Sequence, residues 1–437
     1  MSRLTREVRI YVIGLMMFVF LVGSNLFVEG AYADPLQSDI DVLAKKVEPK
    51  VIQWRRDIHE HPELAYQEVR TSKLVADHLR SLGMEVKTGV AKTGVIGILK
   101  GTKSTPVIAL RADMDALPVK ELTGLPYASK VEATWKGAKV PVMHACGHDN
   151  HTAILMGAAE VLAGLKDKLP GTVKFIFQPA EEDPPGGASE MIKAGVLENP
   201  APQAIFGLHV APYPAGMLAA RSEGTMASAD SFKITVKGIP THGGNPWTGV
   251  DSIVISAQII QALQTVVSRQ SDLTKTAVVV SIGTIHGGEA HNSIPQTVEM
   301  EGTIRTFDPQ VRKEVHERIK KMVPAIAQAS GATAEVSIPD YGLPVTFNDP
   351  KLFAKMEPTL KRVSKNFYME AVKTTSGEDF AWYQTKIPGL FFFLGSLTQG
   401  AKFYFNHSPY YTMDESALIV GVRALANLTV DFLEQTK

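Results

Sequence analysis

The residues best able to do chemistry in this chain crowd into one stretch, Met143-His144-Ala145-Cys146-Gly147-His148-Asp149-Asn150-His151, which also holds the only cysteine among 437 residues. Imidazole, thiolate and carboxylate are the groups that hold a divalent cation, and a hydrolase leaves one position of that cation open. Cys146 and His148 lie two apart across Gly147, so a single tight turn could present both to one centre. An isolated cysteine is usually a small core residue, but these histidine neighbours make that reading poor here. A Cys–His nucleophile pair is the other option; shared ligation suits the two-residue spacing in a glycine turn better.

Three later clusters could meet this stretch: Pro179-Ala180-Glu181-Glu182, Gly207-Leu208-His209 and Asn406-His407-Ser408-Pro409. Cys146, His148, Glu182, His209 and His407 together are more donors than one open tetrahedral site uses. They imply two cations about 3.5–4 Å apart sharing a water. Adjacent glutamates divide labour, one on the metal and one taking the proton of the attacking water. Residue types leave the order open; the assignment taken is Glu182 on the metal and Glu181 as base. Asp113 could accept from the second nitrogen of a ligating histidine, most simply His148, and so fix its tautomer.

These groups must be carried by elements. Val107-Ile108-Ala109-Leu110 is a short apolar run typical of a strand buried on both faces, and it hands on Arg111-Ala112-Asp113-Met114-Asp115. Thr172–Phe177 and Ala204–Leu208 read as strands that deliver Glu181-Glu182 and His209 in the same way. Ligands bind at the carboxyl ends of such strands in open α/β sheets. Helical spacing runs from Asp39 to Leu82, interrupted at Pro62, so that His59–Leu64 is expected as a loop near the site. Further helices are expected from Ala153 to Leu165 and from Ala417 to Glu434. Between Ser231 and Ile338 the texture changes to β-α-β-β-α-β, the order of a ferredoxin-like unit. The expected fold is therefore α/β, a mixed-sheet catalytic domain with an inserted ferredoxin-like α+β satellite. Its divisions are 1–33 leader, 34–227 catalytic, 228–340 satellite for lid or dimer formation, and 341–437 catalytic again.

The balance of 45 basic and 45 acidic residues argues against a nucleic-acid partner and leaves a small molecule. Arg3, Arg6 and Arg9 precede an uncharged run from Ile10 to Val28 and the small-residue site Ala31-Tyr32-Ala33, the order of a cleavable secretory leader. The run is also about the length of a ~20-residue membrane anchor. Either way the body is expected outside the cytoplasm, periplasmic or extracellular, with no stable membrane partner once the leader is cleaved. Two glycine-rich turns in the satellite, Pro240-Thr241-His242-Gly243-Gly244 and Ile285–Pro295, carry polar tips, among them His242 and Asn292.

Taken together, Arg111–Pro118, His144–Asp149, Pro179–Glu182, the Gly-Gly-x-Ala-x-Asn-x-Ile-Pro run Gly287–Pro295, Ser376–Phe380 and His407-Ser408-Pro409 with Asp414-Glu415 resemble the peptidase family M20 amidohydrolases. The nearest branch is that of N-acyl-amino-acid amidohydrolases, hippurate hydrolases and auxin-conjugate (IAA-amino acid) hydrolases. The resemblance covers the chain beyond the leader, in order. It implies a zinc-peptidase-like catalytic domain with two divalent metal ions (Zn, Mn, Co or Ni). It matches Cys146, His148, Glu182, His209 and His407 to the ligands, Glu181 to the base and Asp113 to the supporting aspartate. His242 and Asn292 match satellite residues that close over the substrate, often across a dimer interface, which implies a homo-oligomer through the satellite. The implied reaction is cleavage of an N-acyl amino acid to a carboxylic acid and a free amino acid, with a dipeptidase or carboxypeptidase on the same site as the alternative. This chain departs from many relatives at Gly243-Gly244 and Asn245-Pro246-Trp247, which follow His242.

Overall fold

The structure, a computed structural model, describes residues 35–184 and 186–436. The leader read in residues 1–33 lies outside them. Among the described residues the largest sheet has eight strands, and its middle is the parallel set Thr172–Gln178, Val107–Asp113, Ala204–Pro214 and Gly389–Leu397. Antiparallel strands Gly94–Lys100 and Glu85–Val90 extend one side; Leu218–Ala220 and Tyr368–Glu370 extend the other.

All seven residues of Val107–Asp113 are buried, as are all seven of Thr172–Gln178. Because side chains alternate across a strand, each strand feeds two cores. Ile108, Leu110, Val173, Phe175 and Phe206 pack with the helices on one face, while Ala109, Ile176, Ile205 and Phe391 pack on the other. The helices of the first face are Pro35–Glu60, His148–Gly164 and Leu418–Gln435, which contact one another. Among the described residues, Glu415–Gln435 is the one segment long and apolar enough to cross a membrane; 83% of its apolar window is buried inside the protein, as befits a core helix.

Residues 230–337 build a second, four-stranded antiparallel sheet, ordered Val278–His286, Thr297–Thr306, Asp230–Lys237, Thr333–Ser337. Helices Ser252–Ser268 and Pro309–Ala329 pack on one face of it around a core of their own, with Phe232, Ile259, Met300 and Ile319 at its centre. Each helix is capped by an aspartate, Asp251 or Asp308, whose side chain accepts two backbone N–H bonds of the first turn.

Two local expectations are corrected. His59 and Glu60 belong to the last turn of the first helix rather than to a loop, and His59 is buried. Several strands went unread, among them the hairpin Glu132–Trp135/Ala138–Pro141 and the short strands Glu223–Met226 and Thr346–Asn348. Three or four residues are too few to show a period of two.

Candidate metal centre and cleft

The cysteine stretch turns sharply because Gly147 adopts φ 98°, and a Cβ there would lie 2.4 Å from Val210 Cγ2. Only glycine fits that position. The helix begins at the next residue, so His148 sits at its first turn with its ring buried. On the neighbouring strand end, Ala180 is held left-handed at φ 54° by two bonds. Its N–H donates to Glu68 Oε1 (2.9 Å) and its carbonyl accepts from Gly187 N (2.9 Å). A left-handed alanine costs about 1–2 kcal/mol; here it aims the two glutamates inward.

The structure brings six of the singled-out residues to one place. Cys146 Sγ lies 3.4 Å from His209 Nε2, and His407 Nε2 lies 3.0 Å from Glu182 Oε1. His148 Nε2 stands 3.9 Å from Glu182 Oε1 and 4.0 Å from Glu181 Oε2. Cys146, His148 and His209 form one group with ligand atoms within 4.8 Å of one another, and Cys146, Glu182 and His407 form another. Two groups sharing a thiol are the layout of a two-cation site. His148 Nε2 is buried without a hydrogen-bond partner, and Glu182 Oε1, although 3.0 Å from His407 Nε2, makes no well-angled hydrogen bond; a buried polar atom left so costs about 1–3 kcal/mol unless something else satisfies it. A divalent cation would satisfy both, so the donor set fits a metal pair. His209 Nδ1 lies 2.7 Å from the Val210 carbonyl; a ring N–H there donates and leaves Nε2 free to bind.

Asp113 takes a different place from the one expected. Its Oδ1 is 3.9 Å from His148 Nδ1, whereas Asp115 Oδ1 is 3.3 Å away. Asp113 accepts instead from His151 Nδ1 at 2.6 Å, and His151 Nε2 accepts from Val210 N at 2.9 Å. Asp113 thus braces the strand that carries His209. Asp115 lies two residues further, about 7 Å along an extended chain, and so reaches the turn. Its two oxygens also accept from Glu181 N and Glu182 N, each at 3.0 Å.

Behind Glu181 is a buried charge cluster that residue types had not revealed. Arg111 donates to Asp113 Oδ2 (2.6 Å), Asp379 Oδ1 (2.7 Å) and Gln178 Oε1 (2.9 Å), with Glu378 Oε1 at 3.1 Å. Burial pushes the Glu378 carboxyl up to about 7 and that of Asp379 to about 6, with Arg111 opposing both shifts. Burial first, then the charges of Glu378 and Glu182, holds Glu181 well above the usual carboxylate range. A carboxylate of raised proton affinity beside the donor groups has the property wanted in a proton acceptor.

His242 and Asn292 are brought to each other but not to this floor. His242 lies in a separate two-stranded ribbon, paired with Ser293, and Asn292 precedes the partner strand; Gly243 N donates to Asn292 O (2.7 Å), and both residues are exposed.

Above the floor opens a cleft of about 670 Å³ lined by Cys146, Glu181, Glu182, His209 and His407, with Tyr213, Met226, Leu343, Phe393 and Phe405 as apolar wall. Two cations, Arg305 and Lys373, also line it. Neither has an acidic group within 4 Å among the described residues, and Lys373 Nζ stands 5.4 Å from the Phe307 ring. Desolvation lowers the Arg305 pKa. Arg305 was missed because one arginine in an alternating strand looks like any solvated side chain; only the tertiary structure puts it in the cleft lining.

Comparison with known proteins agrees with this architecture. The chain is 41% identical over 403 residues to thermostable carboxypeptidase 2 of Saccharolobus solfataricus, covering 91% of this chain and 98% of that one. It is 42% identical over 395 residues to N-acetylcysteine deacetylase of Bacillus subtilis, covering 90% and 99%. The crystal structure of the Bacillus subtilis YXEP protein, described as a dinuclear metal-binding peptidase of the M20 family, superposes with a TM-score of 0.76 at 40% identity, covering 89% and 99%. Residues 109–431, which include both candidate ligand groups and the whole second sheet, match Peptidase family M20/M25/M40, and the chain belongs to that family of hydrolases.

Proposed function

We propose that the protein hydrolyses the amide bond of N-acyl amino acids. The observation that carries this reading is the convergence of Cys146, His148, Glu182, His209 and His407 on a cleft floor beside the basic Glu181. Those five would hold two divalent cations, Zn, Mn, Co or Ni; the thiolate favours the softer of these. Bound there, the pair supplies Lewis acidity and a water acidic enough to ionise near neutral pH. Glu181 takes the proton of the attacking water at its carboxylate and returns it to the leaving nitrogen. Asp115 holds His148 and the Glu181-Glu182 backbone in place, and Asp113 braces His209 through His151. His242 and Asn292 act on the developing oxyanion from a second copy of the chain, which makes the active unit at least a dimer through the second sheet.

The cleft favours a blocked nitrogen over a free one. Among the described residues its acids are Glu181, Glu182 and Glu378, all at the floor cluster, so none of these remains to receive a substrate ammonium, while the apolar wall suits an acyl group. Arg305 suits the carboxylate of the amino acid. A charge-assisted bond of this kind contributes about 1.5–3 kcal/mol, so Arg305→Met is expected to raise KM about 10- to 100-fold with kcat within a few fold, read from steady-state kinetics.

The relatives described as carboxypeptidases keep a peptidase reading alive. A panel of N-acetyl and N-benzoyl amino acids against dipeptides and carboxyl-terminal peptide substrates separates the two. Faster turnover of the acyl amino acids is expected, and uniformly faster peptide turnover would replace this reading by the second. Elemental analysis of the same preparation is expected to find close to two transition-metal ions per chain, lost in Cys146→Ala. The leader motif extends the proposal to conjugates met outside the cytoplasm; mass spectrometry of exported protein would then start at Asp34, whereas an intact Met1 in a cytosolic fraction would remove this extension.

A further inference from the structure

We propose that Asn406 is a positioning residue that ties the loop bearing His407 to the turn bearing Cys146 and tunes the thiolate through an N–H···S bond. The inference rests on the reading of Cys146 and His407 as metal ligands. His407 sits in the stretch 398–414 between the strand ending at Leu397 and the short helix starting at Glu415, with no regular element of its own beyond turns. A ligand on such a stretch has no helix or strand to hold it within the ~0.5 Å that a preformed site needs. His407 is moreover left-handed at φ 70° and its side chain is half exposed.

Two bonds replace the missing scaffold. His407 N donates to the Ala145 carbonyl at 2.7 Å, and Asn406 Nδ2 donates to the Cys146 carbonyl at 2.9 Å. The second identifies the amide nitrogen, since the amide oxygen could not face a carbonyl oxygen. The same nitrogen stands 3.6 Å from Cys146 Sγ. An amide NH2 has two hydrogens, one for each acceptor. A single side chain therefore joins the two ligand-bearing loops and spreads the charge of the sulfur that both candidate ligand groups share. Removal of such an outer partner typically costs about 10- to 100-fold in metal affinity. Among the described residues, the other side-chain partners of this sulfur include the histidine rings of the site itself.

The test uses the full chain loaded with Co2+, whose sulfur-to-cobalt charge-transfer absorption reports on the thiolate directly. Asn406→Leu keeps the size and loses both donors; Asn406→Gln keeps the donors on a longer arm. In Asn406→Leu we expect metal affinity to fall about tenfold or more and the band to move to longer wavelength, because an unbonded thiolate gives up its electron more readily. Asn406→Gln is expected to recover part of both. The residue is only half-buried in an exposed stretch, so thermal unfolding of the metal-free variants should match that of the parent. An unshifted band in Asn406→Leu overturns the proposal, even if activity falls. Absence of the band in the parent protein would instead overturn the reading of Cys146 as a ligand.

Discussion

Glu181→Gln is expected to lower kcat about 10²- to 10⁴-fold while leaving the metal content unchanged. Glutamine has the same shape, and its amide oxygen can still accept from Asp379 N, which lies 3.3 Å from Glu181 Oε1. What it cannot do is take a proton near neutral pH. The neighbouring Glu182→Gln should behave in the opposite order: its oxygen stands 3.0 Å from His407 Nε2 and near His148, so metal is lost first and activity follows. Steady-state kinetics beside elemental analysis of both variants separates the two roles. Turnover of Glu181→Gln within about tenfold of the parent would move the general base elsewhere.

Arg111→Met is expected to be the most destabilising single change in the catalytic sheet. Its side chain is fully buried, and three carboxyl groups, Asp113, Glu378 and Asp379, share its charge. Removing one partner of a buried ion pair costs about 3–5 kcal/mol because the other charges are left uncompensated, against a total of about 5–15 kcal/mol for an ordinary domain. Lysine rescues little, since a single ammonium cannot span the three acids and Gln178 as the guanidinium fork does. The loss should depend on pH in a stated direction. The Glu378 and Asp379 carboxyls titrate near 7 and 6 with Arg111 present, and without it they hold their protons to higher pH still. Below about pH 6 both are therefore neutral and the penalty shrinks; at pH 8 burying their charge demands the most. Urea unfolding of parent and variant at pH 5.5 and pH 8 reads this, and an equal or larger penalty at the lower pH would show that the cluster is not held by Arg111's charge.

Much of this protein was written in local pattern. Apolar runs such as Val107–Leu110 and Ala204–Leu208 announced strands between two layers, because such a strand has no polar side to show. The helical spacing between Asp39 and Leu82 announced its helices for the complementary reason, one face of each turned to the core. The candidate donors could be named from chemistry alone, since few side chains bind divalent cations, and Glu181 and Glu182 follow directly on one of those strands. The division of work among them could not. Whether Asp113 or Asp115 meets His148 depends on where the strand stops, and a period of two places both on the same side. Arg111, Glu378 and Asp379 are far apart in sequence and gain their perturbed proton affinities only when the sheet buries them together. Arg305 acquires meaning only because this strand of the second sheet lines the cleft that holds the donor groups, and Asn406 because an irregular loop folds back onto a turn some 260 positions earlier. Local periodicity and residue chemistry act over one or two turns of chain, so they are legible in order; burial, charge pairing and loop closure are set by which distant segments meet, and tertiary structure alone decides them.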